Sequence, residues 1–139
     1  MVHTMNISFT ATPSTQDKAF LTRQISAETP TYGDAHSFGF FMRDAQGEIL
    51  AGCHGYTFYG FIFTEELWVH PDHRKQGLGR QLMDKAHDFG RAQGCKIAFL
   101  STMSFQKAEA FYQRLGYERA HTLTGGILES SLFCMRRDL

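Results

Sequence analysis

The chain has 139 residues, 42% of them hydrophobic and 14% aromatic, with fourteen basic and fourteen acidic side chains. That length supports one domain, residues 1–139, around one core and leaves no room for a separate substrate domain, while the apolar content excludes a disordered chain. Balanced charge argues against bulk electrostatic attraction, so neither nucleic acid nor membrane is an expected partner.

Residues Met5 to Ala11 alternate loosely through Met5, Ile7 and Phe9 and suit a first strand that Pro13 ends. Ser14 or Thr15 can cap a helix from about Gln16 to Ala27. A loop-like run from Glu28 to Ala35 follows, in which Tyr32 either covers the core edge or borders a ligand. Ser37 to Arg43 and Glu48 to Phe58 read as strands around the turn Asp44-Ala45-Gln46-Gly47, and Tyr59-Gly60 leads into a third strand, Phe61 to Val69. The segment from Gly77 to Gln93 places Leu78, Leu82, Met83, Ala86 and Phe89 on one helix face, and Gly94 ends it. Lys96 to Thr102 is a short apolar run expected to be a buried strand parallel to Phe61–Val69, because a helix connects the two. A helix from Phe105 to Leu115 and a hairpin of Tyr117 to Leu123 with Ile127 to Arg136 close the chain. The fold class is therefore mixed α/β (α+β), with a mostly antiparallel sheet flanked by helices.

The three cysteines, Cys53, Cys95 and Cys134, are odd in number and form no Cys-x-x-Cys pair, so they read as reduced core residues of a cytoplasmic protein. Met1 to Thr10 has neither a secretory nor a transit pattern, and no segment approaches a membrane span. His70-x-x-His73 lacks a third ligand nearby, and no metal is expected.

The informative stretch is Leu67-Trp68-Val69-His70-Pro71-Asp72-His73-Arg74-Lys75-Gln76-Gly77-Leu78-Gly79-Arg80. An apolar strand passes a basic turn and opens a helix at two glycines. Glycine lets a ligand approach the backbone, and the helix's first N–H groups with Arg74, Lys75 and Arg80 suit a pyrophosphate. A tight strand-to-helix turn uses the same glycines for purely structural reasons. A second stretch, Phe105 to Glu118, contains Phe111-Tyr112-Gln113-Arg114-Leu115-Gly116-Tyr117.

In this order the two stretches resemble the GCN5-related N-acetyltransferase family. Arg74-Lys75-Gln76-Gly77-Leu78-Gly79 is similar to the family's coenzyme A loop, and Phe111 to Tyr117 to its later aromatic-Tyr-x-x-Leu-Gly-aromatic motif. The resemblance implies acetyl-CoA as co-substrate, a primary amine of a small molecule or protein as acceptor, and two strands that splay apart to admit the pantetheine arm. It implies that Leu67, Trp68 and Val69 hold that arm through their backbone, with Leu78 in the loop that holds coenzyme A and Arg80 beside its pyrophosphate. Many members carry an asparagine where this chain has Phe105, which would then stand in the cofactor site. Ser101, Thr102 and Ser104 could substitute for it in cofactor contact. Some protein N-terminal acetyltransferases carry a glutamate where this chain has Leu100, which argues against that role here. Exposed sheet edges, together with the resemblance, point to a possible homodimer as the expected partner state.

Tyr112 is the implied partner of the coenzyme A sulfur, or else a core-packing ring. Glu65, which matches a glutamate of polyamine and aminoglycoside members, and Glu66 are the candidate bases, or else solvated strand residues. Strand alternation sends the two to opposite faces, so at most one should reach an acceptor. A base matters because a lysine-like amine is neutral only in about one molecule in 2,500 at pH 7. His54 and His70 are weaker candidates. No cysteine stands beside a base, so direct attack of the amine is expected. Two other classes compete: a coenzyme-A-binding regulatory module without catalysis, and a nucleotide-phosphate binder, which the absence of Lys-Ser/Thr after the glycines disfavours.

Overall fold

The structure is a computed structural model that describes residues 5–139, so the first four residues of the N-terminal stretch lie outside the described residues. The chain divides into two compact units, one ending at Asp34 and one running from Ala35 to Leu139.

In the first unit, helix α1 spans Thr15–Glu28, and the Ser14 hydroxyl caps it by accepting from the Asp17 N–H at 3.0 Å. The strand expected at Met5 to Ala11 is not formed: residues 5–10 have no regular secondary structure. Three alternating apolar residues are a weak strand signal, and a strand persists only where a partner satisfies its backbone.

The second unit is a six-stranded sheet. Its strands are β1 (His36–Arg43), β2 (Ile49–Phe58), β3 (Phe61–Val69), β4 (Ile97–Met103), β5 (Glu118–Thr124) and β6 (Ser131–Asp138), in the order β1-β2-β3-β4-β6-β5. Every pairing is antiparallel except that of β3 with β4. Helix α2 (Leu78–Ala92) lays Leu82, Met83, Ala86, His87 and Gly90 on one face of the sheet. There they join Ala51, Cys53, Ile62, Ala98, Leu100 and Met135, all nearly inaccessible to solvent. This apolar layer fixes α2 across the strands and so aims the helix's N-terminus.

Two elements are shorter than the sequence pattern suggests. The helix expected over Phe105 to Leu115 is a 3-10 turn, Ser104–Gln106, followed by helix α3, Glu109–Arg114. Lys107 adopts φ +59° between them, a left-handed conformation that cannot continue a helix. The closing strand starts at Ser131, because Leu128 and Glu129 also take positive φ and turn the chain over Ile127–Glu129. Helix α3 is tied to β5 by the Arg119 guanidinium, which donates to both Glu109 carboxylate oxygens at 2.5 and 3.0 Å and lies 3.8 Å over the Phe133 ring.

A candidate active site between two diverging strands

Strands β3 and β4 pair in parallel over only three positions, Phe61 with Ile97, Ile62 with Ala98 and Phe63 with Phe99. Beyond them each strand keeps its outer partner. β3 continues with β2 to the Val69–Ala51 pair, and β4 continues with β6 to the Met103–Leu132 pair. The edges of β3 and β4 that face one another are therefore left open. Backbone groups on such an edge need partners, and an extended ligand can supply them.

The opening is a cleft of about 800 Å³, within the usual range for a bound cofactor or substrate. Leu67, Trp68 and Val69 border it from β3, with Ser101 and Thr102 from β4. Arg74, Lys75, Gly77, Leu78, Gly79 and Arg80 border it from the start of α2. Glu65, Glu66 and Tyr112 border it as well. Two predicted residues do not: Gln76 is exposed and lies outside the lining, and Phe105 is exposed beside a separate hollow near Ile127 and Leu128. Phe105 turns away because it lies in the 3-10 turn rather than on a continuous helix.

At the start of α2, Gly77 is the N-cap with φ +81°, and no side chain caps the helix. The first helical hydrogen bond is donated by Gln81 to the Gly77 carbonyl, which leaves the Leu78, Gly79 and Arg80 N–H groups without helical acceptors. An anion suits such a terminus. The two glycines have different tasks. Gly77 supplies the left-handed turn, whereas a Cβ at Gly79 would stand 3.0 Å from the Phe111 ring, so Gly79 serves helix packing rather than ligand approach. Arg74 Nε donates to the Val69 carbonyl at 2.8 Å, and Arg80 donates to the Arg114 carbonyl at 3.3 Å. Both guanidinium groups are thereby held at the cleft's margin.

Tyr112 packs its ring against Phe111 and Tyr117 at centroid distances of 5.1 and 5.8 Å. Burial pushes its hydroxyl up to about 12, with the nearby Cys53 thiol adding to the effect. The phenol therefore stays protonated at neutral pH and can donate a hydrogen bond.

The two glutamates do not obey simple alternation. The β2–β3 register shifts between His54 and Gly55: His54 faces Glu66, while Gly55 faces Thr64, so Glu65 is the extra residue of a β-bulge. Both carboxylates consequently reach His54, Glu66 Oε1 at 2.8 Å from Nε2 and Glu65 Oε2 at 3.6 Å from Nδ1. The expectation that only one could face the site is corrected by this bulge. His70, by contrast, accepts from the Asp72 N–H at 3.0 Å and closes the 3-10 turn Pro71–His73.

Gln106 also lines the cleft, which residue pattern alone did not indicate. Its Oε1 accepts from the Met103 N–H at 2.7 Å and from the Thr102 hydroxyl at 3.1 Å. Its amide NH₂ is left available to a ligand, close to the place where the family's asparagine was sought at Phe105.

Comparison with known proteins bears on the family and the fold. The family model described as "Acetyltransferase (GNAT) family" matches residues 4–117. A blasticidin-S acetyltransferase of Streptomyces morookaense is 34% identical over 79 residues, 56% of this chain and 57% of that protein. An acetyltransferase of Agrobacterium fabrum is 27% identical over 65% of each chain. The matched stretch thus spans less than two-thirds of either relative. Among solved structures, an acetyltransferase from Bacillus cereus aligns with a TM-score of 0.75 over 95% of this chain and 98% of its own, at 18% identity, a likeness of fold. The chain belongs to the GNAT acetyltransferase family.

Among the described residues, no group of three or more His, Cys, Asp or Glu side chains could hold a metal ion, and no helix is long and apolar enough to cross a membrane.

Proposed function

We propose that the protein is an acetyl-CoA-dependent N-acetyltransferase that moves an acetyl group to a primary amine of a small molecule or protein by direct attack within a ternary complex. The observation that carries this reading is the single cleft that joins an opened strand edge, an uncapped helix N-terminus and two carboxylates. The residues present fit the co-substrate. The edge of β3 from Leu67 to Val69 would pair with the pantetheine arm as an added strand, and the α2 terminus with Arg74, Lys75 and Arg80 would take the pyrophosphate. The thioester supplies the activated acetyl group.

A backbone N–H of β3 would donate to the carbonyl oxygen as negative charge develops there. Glu65 or Glu66 would accept the proton of the incoming ammonium, and Tyr112 would hydrogen-bond the departing sulfur. Direct attack is favoured over an acyl-enzyme because none of the three cysteines, Cys134 included, borders the cleft. Cys53 is 1% exposed and pushed up to about 11 by burial, and burial also raises Cys95. The relative named for blasticidin-S makes amine-bearing antibiotics sensible first acceptors to screen.

The test is thiol release from acetyl-CoA in the presence of antibiotic amines, polyamines and lysine-ended peptides. Amine-dependent release, with acetylated product by mass spectrometry, is expected. Binding of acetyl-CoA without turnover on any amine would favour the coenzyme-A-binding module instead.

A further inference from the structure

We propose that His54 is the proton acceptor behind Glu65, and that Glu66 is the positioning residue that fixes its tautomer. This rests on the acetyl-transfer reading above. His54 does not border the cleft, whereas both glutamates do. Its Nε2 lies 2.8 Å from Glu66 Oε1. A carboxylate only accepts hydrogen bonds, so Nε2 carries the hydrogen and donates it. In the neutral ring Nδ1 then bears the lone pair, and it faces Glu65 Oε2 at 3.6 Å.

Two lone-pair-bearing atoms 3.6 Å apart, just beyond hydrogen-bond length, form a place that takes up one extra proton on a small closure. The β-bulge creates it, since a regular strand would send Glu65 to the other face. No cation from a neighbouring strand competes: the β1 residue opposite His54 is Gly39, which has no side chain. The imidazole is about two-fifths exposed, so a proton that reaches it can pass to water.

An N–H bond of the ammonium breaks, its electron pair stays on nitrogen, and the proton goes to Glu65. From Glu65 it moves to Nδ1, giving an imidazolium flanked by two carboxylates. The neutral amine attacks the acetyl carbon, its second proton goes to the departing sulfur, and the imidazolium returns its proton to solvent. Glu65 touches the substrate and is the catalytic residue; His54 acts through it.

Two measurements test this. Long-range proton–nitrogen spectra of nitrogen-15-labelled protein at pH 8, with His54 assigned by its disappearance in His54→Gln, should show Nε2 protonated and Nδ1 bare. Glu66→Gln should give a mixture of tautomers. An Nδ1–H tautomer in the wild type overturns the proposal. In the acetyl-transfer assay, on the best amine of the wild-type screen, His54→Gln still donates to Glu66 but cannot take a proton. Its kcat should fall about 10²-fold, with KM for acetyl-CoA within twofold of wild type. Added imidazole should partly restore His54→Ala. Unchanged kcat in His54→Gln, or no rescue of His54→Ala, contradicts the relay. A wild type inactive on every amine instead defeats the acetyl-transfer reading, and the spectra still decide the tautomer.

Discussion

A Cβ atom placed on Gly55 would lie 1.9 Å from the carbonyl oxygen of Phe63, closer than any side chain can stand. This approach of β2 to β3 occurs at the register shift that makes Glu65 a bulge residue and brings both glutamates to His54. Glycine at 55 is thus part of the candidate active site without bordering it.

Gly55→Ala should therefore be destabilising by about 1–3 kcal/mol, the usual range for overpacking a well-packed interior. Urea unfolding measures the loss. If the variant folds, the bulge must shift, and acetyl transfer should drop more than acetyl-CoA binding. Wild-type stability in Gly55→Ala would show that the strands can separate there at no cost.

Gly77→Ala isolates backbone conformation from crowding, because a Cβ at 77 meets nothing within 4 Å while φ is +81°. Left-handed alanine costs about 1–2 kcal/mol. The expected outcome is acetyl-CoA binding weakened about tenfold, as the α2 terminus is displaced, with a smaller effect on stability.

Tyr112→Phe should lower kcat by about 10²-fold and leave acetyl-CoA affinity unchanged. Because the hydroxyl is pushed up to about 12, it does not ionise in ordinary assay buffers. Rate profiles between pH 6 and 10 should then have the same shape in wild type and variant. An alkaline limb that disappears in Tyr112→Phe would contradict the assignment.

Stability should depend on pH through His87. Arg137 lies 3.0 Å from His87 Nδ1 and, as an obligate donor, fixes the hydrogen on Nε2, which is donated to the Tyr117 hydroxyl at 2.7 Å. Burial, followed by Arg137 and Arg91, lowers His87 from 6.5 to about 4. The unfolded chain therefore binds the proton first as pH falls. The contribution is fully present above about pH 6.5 and is lost toward pH 4, to a total of about 3 kcal/mol. Urea titrations at pH 7 and pH 4 should show this loss in wild type, and a smaller one in His87→Gln.

Much of the second unit was legible in the residues. Strand β3 spans Phe61–Val69 as read from its apolar run, and α2 differs from its expected span by one residue at each end. Such segments carry a long, consistent period that packing only reinforces. What was not legible depends on single tertiary contacts. The bulge at Glu65 arises from the backbone approach at Gly55, although an isolated glycine inside a strand was a signal that could have suggested it. Phe105 holds the position of the family's asparagine, but the helix expected from there is interrupted at Lys107. Gln106 gains its place from bonds to Met103 and Thr102 that no periodicity encodes.

Calorimetric titration of the protein with acetyl-CoA, with coenzyme A and ATP as comparisons, reads the cleft's co-substrate directly. One-to-one binding of acetyl-CoA and coenzyme A is expected, weakened in Gly77→Ala, with far weaker binding of ATP. No binding of either coenzyme A species, or a preference for ATP, would contradict the acetyl-CoA assignment and would leave the cleft without its proposed co-substrate.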